Sequence, residues 1–445
     1  MNAANEIPGY AAHSTNPILP GYYADPSILQ EQGMVYIYAT IDPWGGETLG
    51  CWESSDWREW TYRVLNWPTK RACTSATSKE AMVWAPSVVK GRDGKFYMYV
   101  SVGSEVWAGV AEHPLGPWRN LLGDQPLIPQ NYKPGYHMID AEAFIDDDGT
   151  AYLYWGSGLN WVNGRCWAVK LKEDMKTFYG EVRDIPLREY FEAPFMFRRQ
   201  GRYYLMYSSG NTTKDTYRIG YGRGSSPLGP FTEPESGPIL STDKSKNVIS
   251  PGHHAVFTKD GKVYILYHRQ SIPFDPSFIG RQVCVDELRF GPDGTIEKVV
   301  PTHEGAPFLR RKAGTRLNLA AGAKITASSQ RDRFTGAERA LDDNYATRWA
   351  AAKGAHGACL QLDLDATRNI TLQELRPEYA WKPYRLTVEA SNDGIWWDKL
   401  ADFTTVPAIG SPIILDKSVT SRFLRLVFPA DGEGAEPSII EWAVY

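Results

Sequence analysis

One short phrase of sequence recurs five times in the first three hundred residues, and a chain built that way is confined to a repeat architecture. The copies are ADPSILQEQGMVYIYAT from Ala24, WAPSVVKGRDGKFYMYV from Trp84, DAEAFIDDDGTAYLYWG from Asp140, EAPFMFRRQGRYYLMYS from Glu192 and GHHAVFTKDGKVYILYH from Gly252. Each is an apolar run, a polar turn containing Gly, and an alternating run rich in Tyr, Val and Ile, which is the pattern of a β-hairpin. The copies are spaced by roughly fifty to sixty residues, in the range of propeller blades. A second half follows each copy, as in WAGVAEHPLGPWRN and YRIGYGRGSSPLGPFTE, and the phrase PLGPW at Pro114 returns as PLGPF at Pro227. Helical periodicity is almost absent. Four short strands per unit and five units predict an all-β, five-bladed β-propeller over residues 16–305. The innermost strand of every blade lines one central channel. Asp25, Trp84, Asp140, Glu192 and His253, which open those strands, are therefore expected at a single mouth. Three carboxyl groups in one cavity is a costly arrangement unless it is used.

Composition removes several alternatives. The chain has 445 residues and a formal net charge of −4, with acidic and basic residues interspersed, so no basic stripe points to nucleic acid and no polybasic run to a membrane. No apolar stretch approaches membrane-spanning length. The N-terminal MNAANEIPGYAAHSTNP shows no basic region followed by an apolar core, so no signal peptide is visible. The five cysteines, Cys51, Cys73, Cys166, Cys284 and Cys359, are irregularly spaced without a CxxC pattern, which suits unpaired core residues better than ligands or nucleophiles. Aromatic residues make up 13% of the chain, including 16 Trp and 25 Tyr. Beyond blade packing, such rings stack on sugar faces, which tilts the expectation toward carbohydrate.

The segment from Pro301 loses the alternation and carries Pro, Gly and a basic cluster, and residues 306–317 are expected to be a connector. Beyond it, ALDDNYATRWA, LQLDLD, YRLTVEASNDGIWWDKL, RFLRLVF and IIEWAVY are short strands between turns, which predicts a β-sandwich over 318–445.

Two carboxyl groups facing each other across a pocket are the minimum equipment for cleaving a glycosidic bond, one protonated to donate to the leaving oxygen and one charged. Glu192 lies in YFEAPF between Phe191 and Phe195, an apolar setting that favours the neutral acid. Asp140 would place a like charge beside it and orient it. The aspartates of IDDDGT fall in a hairpin turn and are expected to form it rather than bind a metal.

At these residues the chain resembles glycoside hydrolase family 43. The likeness rests on NPILPGYYADPSI, VWAPSVV, IDAEAFIDDDGTAYLYWG, FEAPFMFRRQGRYYLMYSSG and PGHHAVF, in order along the whole first domain. It implies a five-bladed propeller that hydrolyses arabinosides, xylosides and related sugars with inversion. It further implies Asp25 as general base, Glu192 as general acid and Asp140 as the residue that raises and orients the acid. Trp84, Phe191 and Arg281 are the candidate sugar contacts, with a surface blade charge as the alternative for Arg281. His253 matches a central histidine that in this family often sits near a calcium ion or waters on the propeller axis. Ser87 departs from the acidic or His residue that often follows the WAP motif. The second domain resembles the discoidin or F5/8 type C fold, which includes carbohydrate-binding modules. That likeness implies a structural calcium near Asp342, Asp343, Asn344, Thr347 and Glu441, with ordinary turn residues as the alternative, and no organic cofactor. Tyr379 and Trp381 are either a sugar platform or packing residues.

The expected activity is inverting exo-hydrolysis of terminal α-L-arabinofuranosyl residues of plant polysaccharides, with β-xylosyl next, and a secreted or periplasmic location. The expected partner is an oligo- or polysaccharide, with neither nucleic acid nor membrane. A galactan- or arabinan-acting glycosidase of the same fold is one alternative, and a lectin-like propeller without catalysis is the other. A retaining fructan-type enzyme is disfavoured because EAP stands where those chains usually have ECP.

Overall fold

The computed structural model describes residues 14–310, 316–355 and 357–445, so part of the expected connector, 311–315, and most of the N-terminal segment lie outside the described residues. Two compact units emerge. One comprises Tyr22–Asp56 with Arg63–Thr302, and the other the described residues from His303 to Tyr445 with residues 14–21 and Trp57–Tyr62.

The first unit is a ring of antiparallel sheets. The first sheet runs β1 (Tyr23–Glu31), β2 (Met34–Ile41), β3 (Gly50–Ser54), β4 (Thr61–Arg63), and the second β5 (Val83–Lys90), β6 (Phe96–Val102), β7 (Glu105–Ala111), β8 (Arg119–Asn120). The third contains β9 (Glu142–Ile145), β10 (Ala151–Trp155), β11 (Cys166–Leu171) and β12 (Phe178–Ile185). The fourth contains β13 (Glu192–Arg199), β14 (Arg202–Ser209), β15 (Arg218–Gly224) and β16 (Phe231–Thr232), with β17 (Leu240–Ser241) also on β15. The fifth has β18 (Gly252–Lys259), β19 (Lys262–Gln270) and β20 (Arg281–Glu287). The innermost strands touch in a closed cycle, β1 to β5 to β9 to β13 to β18 and back to β1. This is the expected five-bladed propeller with one correction: the fifth sheet has three strands rather than four. The residues after it, around GPDGTIE, form only an isolated Phe290–Ile296 bridge, because the arm beyond the turn pairs elsewhere, Val299 N–H donating to the Ile239 carbonyl at 2.7 Å.

Tyrosines link successive blades. Tyr38 on β2 donates its hydroxyl to the Pro114 carbonyl at 2.7 Å, and Tyr154 on β10 donates to the Pro227 carbonyl at 2.6 Å. The two PLGP phrases therefore repeat because each presents a carbonyl to the preceding blade. Tyr99 to the Met175 carbonyl (2.6 Å) and Tyr204 to the Gly294 carbonyl (2.7 Å) do the same at the other two joints. Buried tyrosines thus satisfy both burial and hydrogen bonding, which accounts for much of their abundance. The IDDDGT aspartates form the β9–β10 turn as expected, with Gly149 N–H on the Asp146 carbonyl at 2.7 Å. Cys51, Cys73, Cys166 and Cys284 are buried and Cys359 half-buried, and none is paired.

The second unit holds a two-sheet sandwich. One sheet is ordered β21 (Lys324–Ala327), β23 (Cys359–Ile370), β28 (Val419–Val427), β25 (Thr387–Ser391), β26 (Asp398–Asp402). The other is ordered β22 (Trp349–Ala350), β29 (Ser438–Val444), β24 (Gln373–Pro377), β27 (Ile413–Leu415). Alternate residues of β23, Leu360, Leu362 and Leu364, join Trp349, Leu424, Leu426 and Trp442 in its core, as a period-2 strand with one buried face requires.

Tyr154→Phe removes the donor from the buried Pro227 carbonyl and is expected to cost about 1–3 kcal/mol, the range for an orphaned buried acceptor. Chemical denaturation of the variant and the parent checks this.

Candidate active site

The mouth of the ring is built from an irregularity repeated in each blade. At the start of four inner strands the ladder slips, between Ala24 and Ser27, Trp84 and Pro86, Glu192 and Phe195, and Gly252 and His254. At each slip one non-Gly residue takes a left-handed conformation: Asp25 (φ 50°), Ala85 (φ 45°), Ala193 (φ 55°) and His253 (φ 36°), with Asp140 (φ 57°) standing just ahead of β9. Such residues cost of order 1–3 kcal/mol each unless their surroundings hold them.

What holds them is a hydrogen bond from each strained N–H to a side chain of the preceding blade. Ala85 N donates to Thr40 Oγ1 (2.7 Å), Asp140 N to Ser101 Oγ (3.0 Å) and Ala193 N to Asp140 Oδ2 (3.1 Å). His253 N donates to Ser208 Oγ (2.9 Å) and Asp25 N to His268 Nδ1 (3.2 Å), which closes the circle.

The slip corrects one part of the sequence reading. The five opening residues do not share one repeat position: Trp84 and Glu192 occupy the place before the left-handed residue, while Asp25, Asp140 and His253 occupy the left-handed place itself. In a regular strand a one-residue offset would send them to opposite faces. The bulge turns both places toward the axis. All five therefore line one cavity of about 420 Å³, together with Phe191 and Arg281.

Asp25 is held by a hydroxyl, a guanidinium and an imidazole. Its Oδ2 accepts from Thr40 Oγ1 (2.7 Å), while Oδ1 accepts from Arg281 Nη1 (3.0 Å) and lies 3.1 Å from His253 Nδ1. Burial by itself would raise its pKa, but the Arg281 guanidinium and the His253 ring outweigh burial and hold it well below the usual carboxylate range. Arg281 is itself clamped by Asp42, through Nε to Oδ2 (2.9 Å), Nη2 to Oδ1 (2.7 Å) and its backbone N–H to Oδ2 (2.7 Å). Arg281 is therefore a buried residue of the cavity and not a surface charge.

Glu192 lies in the opposite electrostatic condition. Tyr217 donates to its Oε1 (2.7 Å) and Ser157 to its Oε2 (2.9 Å), yet burial, reinforced by the negative Asp25, leaves its pKa raised. Asp140 is pushed up to about 8 by burial and by the charges of Glu192 and Asp25. Like charges in a buried site cannot both ionise cheaply, so this pair titrates as a unit. Asp140 orients Glu192 less directly than expected: its bond goes to the amide of the next residue, Ala193, and the Glu192 carboxyl is aimed by Tyr217 and Ser157. The His253 ring, lowered by burial but raised further by Asp25, Asp140 and Glu192, reaches about 9 and is a cation at neutral pH. His268 is lowered to about 4, mainly by burial, so the neutral ring accepts the Asp25 amide at Nδ1 and has no proton there to give the Asp25 carboxylate 3.2 Å away.

Several functional residues have no repeat to reveal them. Trp44, His137, Ser157, Trp161 and Thr212 also line the cavity. Trp44 covers the Arg281 guanidinium at 5.0 Å, and Trp161 stacks on Phe191 at 5.6 Å. Thr40, Ser101 and Ser208 do carry a signal: each is the penultimate residue of the second strand of its hairpin, as in YAT, YVS and MYS.

Neither set of candidate metal ligands closes around an ion. His253 lines the cavity, with Nδ1 3.1 Å from Asp25 Oδ1 and 3.7 Å from Asp140 Oδ2, and calcium takes oxygen ligands, which a ring nitrogen does not supply. In the sandwich, Thr347 Oγ1 donates to both oxygens of Asp342 (2.8 and 2.7 Å), Arg339 Nη1 lies 3.5 Å from Asp342, Asp343 N donates to Glu441 Oε2 (3.1 Å), and Ala346 N donates to Asn344 Oδ1 (3.0 Å). These contacts tie the turn to itself and to β29. Among the described residues no group of three or more His, Cys, Asp or Glu is arranged to hold a metal. Tyr379 and Trp381 meet edge-to-face at 5.3 Å, with Lys382 3.8 Å over the tyrosine ring, and so do not make a flat shared platform.

Comparison with known proteins agrees across both units. Residues 14–296 match the family model for glycosyl hydrolases family 43, and residues 324–442 match that for the F5/8 type C domain. The chain is 33% identical over 312 residues to a β-D-galactofuranosidase, xynD, of Aspergillus niger, covering 65% of this chain and 86% of that protein. It is 28% identical over 368 residues to an arabinoxylan arabinofuranohydrolase of Bacillus subtilis, covering 69% of this chain and 71% of that one. A solved structure described as a glycoside hydrolase superimposes with a TM-score of 0.82 at 28% identity, covering 98% of this chain and 100% of that one.

Arg281→Gln removes the cation that holds Asp25 ionised while leaving Asp42 buried and unpaired. It is expected to destabilise the protein by about 3–5 kcal/mol and to move the Asp25 titration to higher pH. Chemical denaturation reads the first effect and carboxyl-carbon NMR titration the second.

Proposed function

Because the chain belongs to the glycosyl hydrolases of family 43, and is thus a glycosidase, we propose that it removes terminal α-L-arabinofuranosyl residues from plant polysaccharides with inversion. The observation that carries the reading is a division of labour within one cavity: Asp25 is held ionised and Glu192 is held toward its protonated form. Environments that push two carboxyl pKa values apart supply an acid and a base at the same pH.

In this reading Glu192 gives its proton to the glycosidic oxygen as the carbon–oxygen bond breaks, and the leaving chain departs neutral. Asp25 takes a proton from a water that attacks the anomeric carbon from the opposite face, and the new hydroxyl forms there. Solvent then returns a proton to Glu192 and removes one from Asp25. Arg281 and the His253 cation keep Asp25 charged, and Trp84, Phe191 and Arg281 contact the sugar. Asp140 fixes the Ala193 amide, and with it the backbone that carries Glu192.

The arabinoxylan-acting relative supports arabinofuranoside as the substrate. The galactofuranosidase relative is compatible with it, since α-L-arabinofuranose and β-D-galactofuranose share their ring configuration and differ by one exocyclic hydroxymethyl group. β-Galactofuranosides and β-xylosides are therefore the next substrates in order. Polysaccharides of this kind are met outside the cytoplasm, so a secreted or periplasmic location belongs to the same reading. A panel of nitrophenyl glycosides fixes the sugar, and no release from any of them would overturn the proposal.

Asp25→Asn and Glu192→Gln are each expected to lower kcat by roughly 10²–10⁴-fold on natural substrates with the fold intact. On nitrophenyl glycosides, whose leaving group scarcely needs a proton, Glu192→Gln should lose far less than Asp25→Asn. Equal losses on both substrate types would remove Glu192 from the acid role, and NMR of the first-formed anomer must show inversion.

The pH profile follows from the signs of the shifts. Activity needs ionised Asp25, so it falls only as pH drops through a pKa below the usual carboxylate range. It also needs the proton of the Glu192–Asp140 pair, so it falls as pH rises through that raised pKa. Asp140→Asn removes the second anion of the pair, so the last proton leaves at lower pH and the alkaline limb of kcat/KM should move down. An unmoved limb with full activity would make Asp140 purely structural.

A further inference from the structure

The cavity has a neighbour. A groove of about 510 Å³ opens on the far side of a wall made by Trp161 and Phe191, and both of these residues line both spaces. Their rings stack with centroids 5.6 Å apart and planes 28° apart. The wall is fixed in place by Gly164, where a Cβ would come within 2.3 Å of the Phe191 Cα and carbonyl oxygen. The loop bearing Trp161 is therefore seated directly on the strand entry that carries Glu192.

Beyond the wall the groove is polar, with Arg165, Arg188, Arg218, Glu189 and Asn163 in its lining. Arg218 Nη2 lies 3.1 Å from Glu189 Oε2, and Arg165 Nη1 lies 3.3 Å from Asp184 Oδ2. The arginine side chains keep 32% (Arg218), 48% (Arg165) and 65% (Arg188) of their surface exposed, so N–H donors remain free for a ligand. A guanidinium beside a carboxylate offers a donor and an acceptor together, which matches a pair of adjacent sugar hydroxyls.

We propose that this groove is the leaving-group subsite, built to hold the neutral polysaccharide chain from which the terminal sugar is cut. The inference rests on Glu192 being the acid. An acid that protonates the departing oxygen must stand on the side of the departing chain, with the base on the opposite face of the cleaved sugar. The groove runs along Glu189, Tyr190 and Phe191, immediately before Glu192, and none of Asp25, Arg281 and Trp44 reaches it. The cleaved unit thus lies in the cavity, and the chain crosses the Trp161–Phe191 stack into the groove. The aromatic wall gives the sugar next to the scissile bond an apolar face, and the arginine–carboxylate pairs take the hydroxyls beyond it. Each arginine is offset by a nearby carboxylate, which is why the chain is neutral rather than acidic.

The test compares two substrates sharing one glycone on the full chain: a nitrophenyl glycoside, which ends at the wall, and a branched oligosaccharide, which reaches past it. For Arg218→Ala and Arg188→Ala the ratio of kcat/KM on the oligosaccharide to that on the nitrophenyl glycoside should fall roughly tenfold, the loss of about one charged hydrogen bond. Arg218→Lys should restore part of the ratio, and melting temperatures confirm that the variants are folded. An unchanged ratio, with or without a general loss of rate, overturns the proposal. So does a wild-type preference of tenfold or more for an oligosaccharide bearing a uronic acid over its neutral counterpart. Failure of the acid assignment shows separately, as equal losses of Glu192→Gln on activated and unactivated substrates whatever the arginine variants do.

Discussion

Five backbone N–H groups, one per blade, donate to a side chain of the blade before, and the geometry of the cavity depends on this circle. Without it the left-handed residues at Asp25, Ala85, Asp140, Ala193 and His253 would relax toward extended backbone. The ladder slips they create would then lose their reason, and two adjacent repeat positions would no longer face the same space. The acceptors are Thr40, Ser101, Asp140, Ser208 and His268, three hydroxyls and two ionisable groups. One of the ionisable two, Asp140, also lines the cavity, so a scaffold position and a site position coincide in one carboxyl group.

The charge balance of the cavity follows from that scaffold. Asp25, Asp42, Asp140 and Glu192 are set against the Arg281 guanidinium and the His253 imidazolium, with Asp25, Asp42 and Asp140 each within 3.7 Å of one of these cations. Two cations cannot neutralise four buried anions: Asp25, in contact with both cations, stays ionised, while burial leaves the pKa values of Asp42, Asp140 and Glu192 raised. The asymmetry is one of position: Arg281 enters from β20 on the side of β1, and no described cation enters from β13.

Much of this was legible in the sequence because the repeat is written in residues that do local work. The hairpin turns, the PLGP carbonyls and the strand-opening acids each recur at readable spacing, so the propeller and its convergent carboxyls could be foreseen. The three-stranded fifth sheet could not, because whether a short segment such as GPDGTIE completes a ladder depends on pairing partners rather than on propensity. Asp42, Ser157, Tyr217 and Trp161 escaped for a related reason. They stand on loops and outer strands where the repeat is interrupted, and only the closed ring brings them to Arg281, Glu192 and Phe191. His253 showed its position but not its state, since a charged imidazole is the product of three neighbours contributed by other blades.

Four of the blade joints are tied by a tyrosine hydroxyl on a carbonyl. The joint between the fifth blade and the first is tied by Arg281 to Asp42 and Asp25 and by His268 to Asp25. The seam of the ring is therefore sewn with the same atoms that set the state of the proposed base. Mutational drift can retune a tyrosine joint and leave chemistry alone, but at the seam durability and turnover are inherited together. A screen that selects only for heat resistance would keep these residues without ever measuring a reaction.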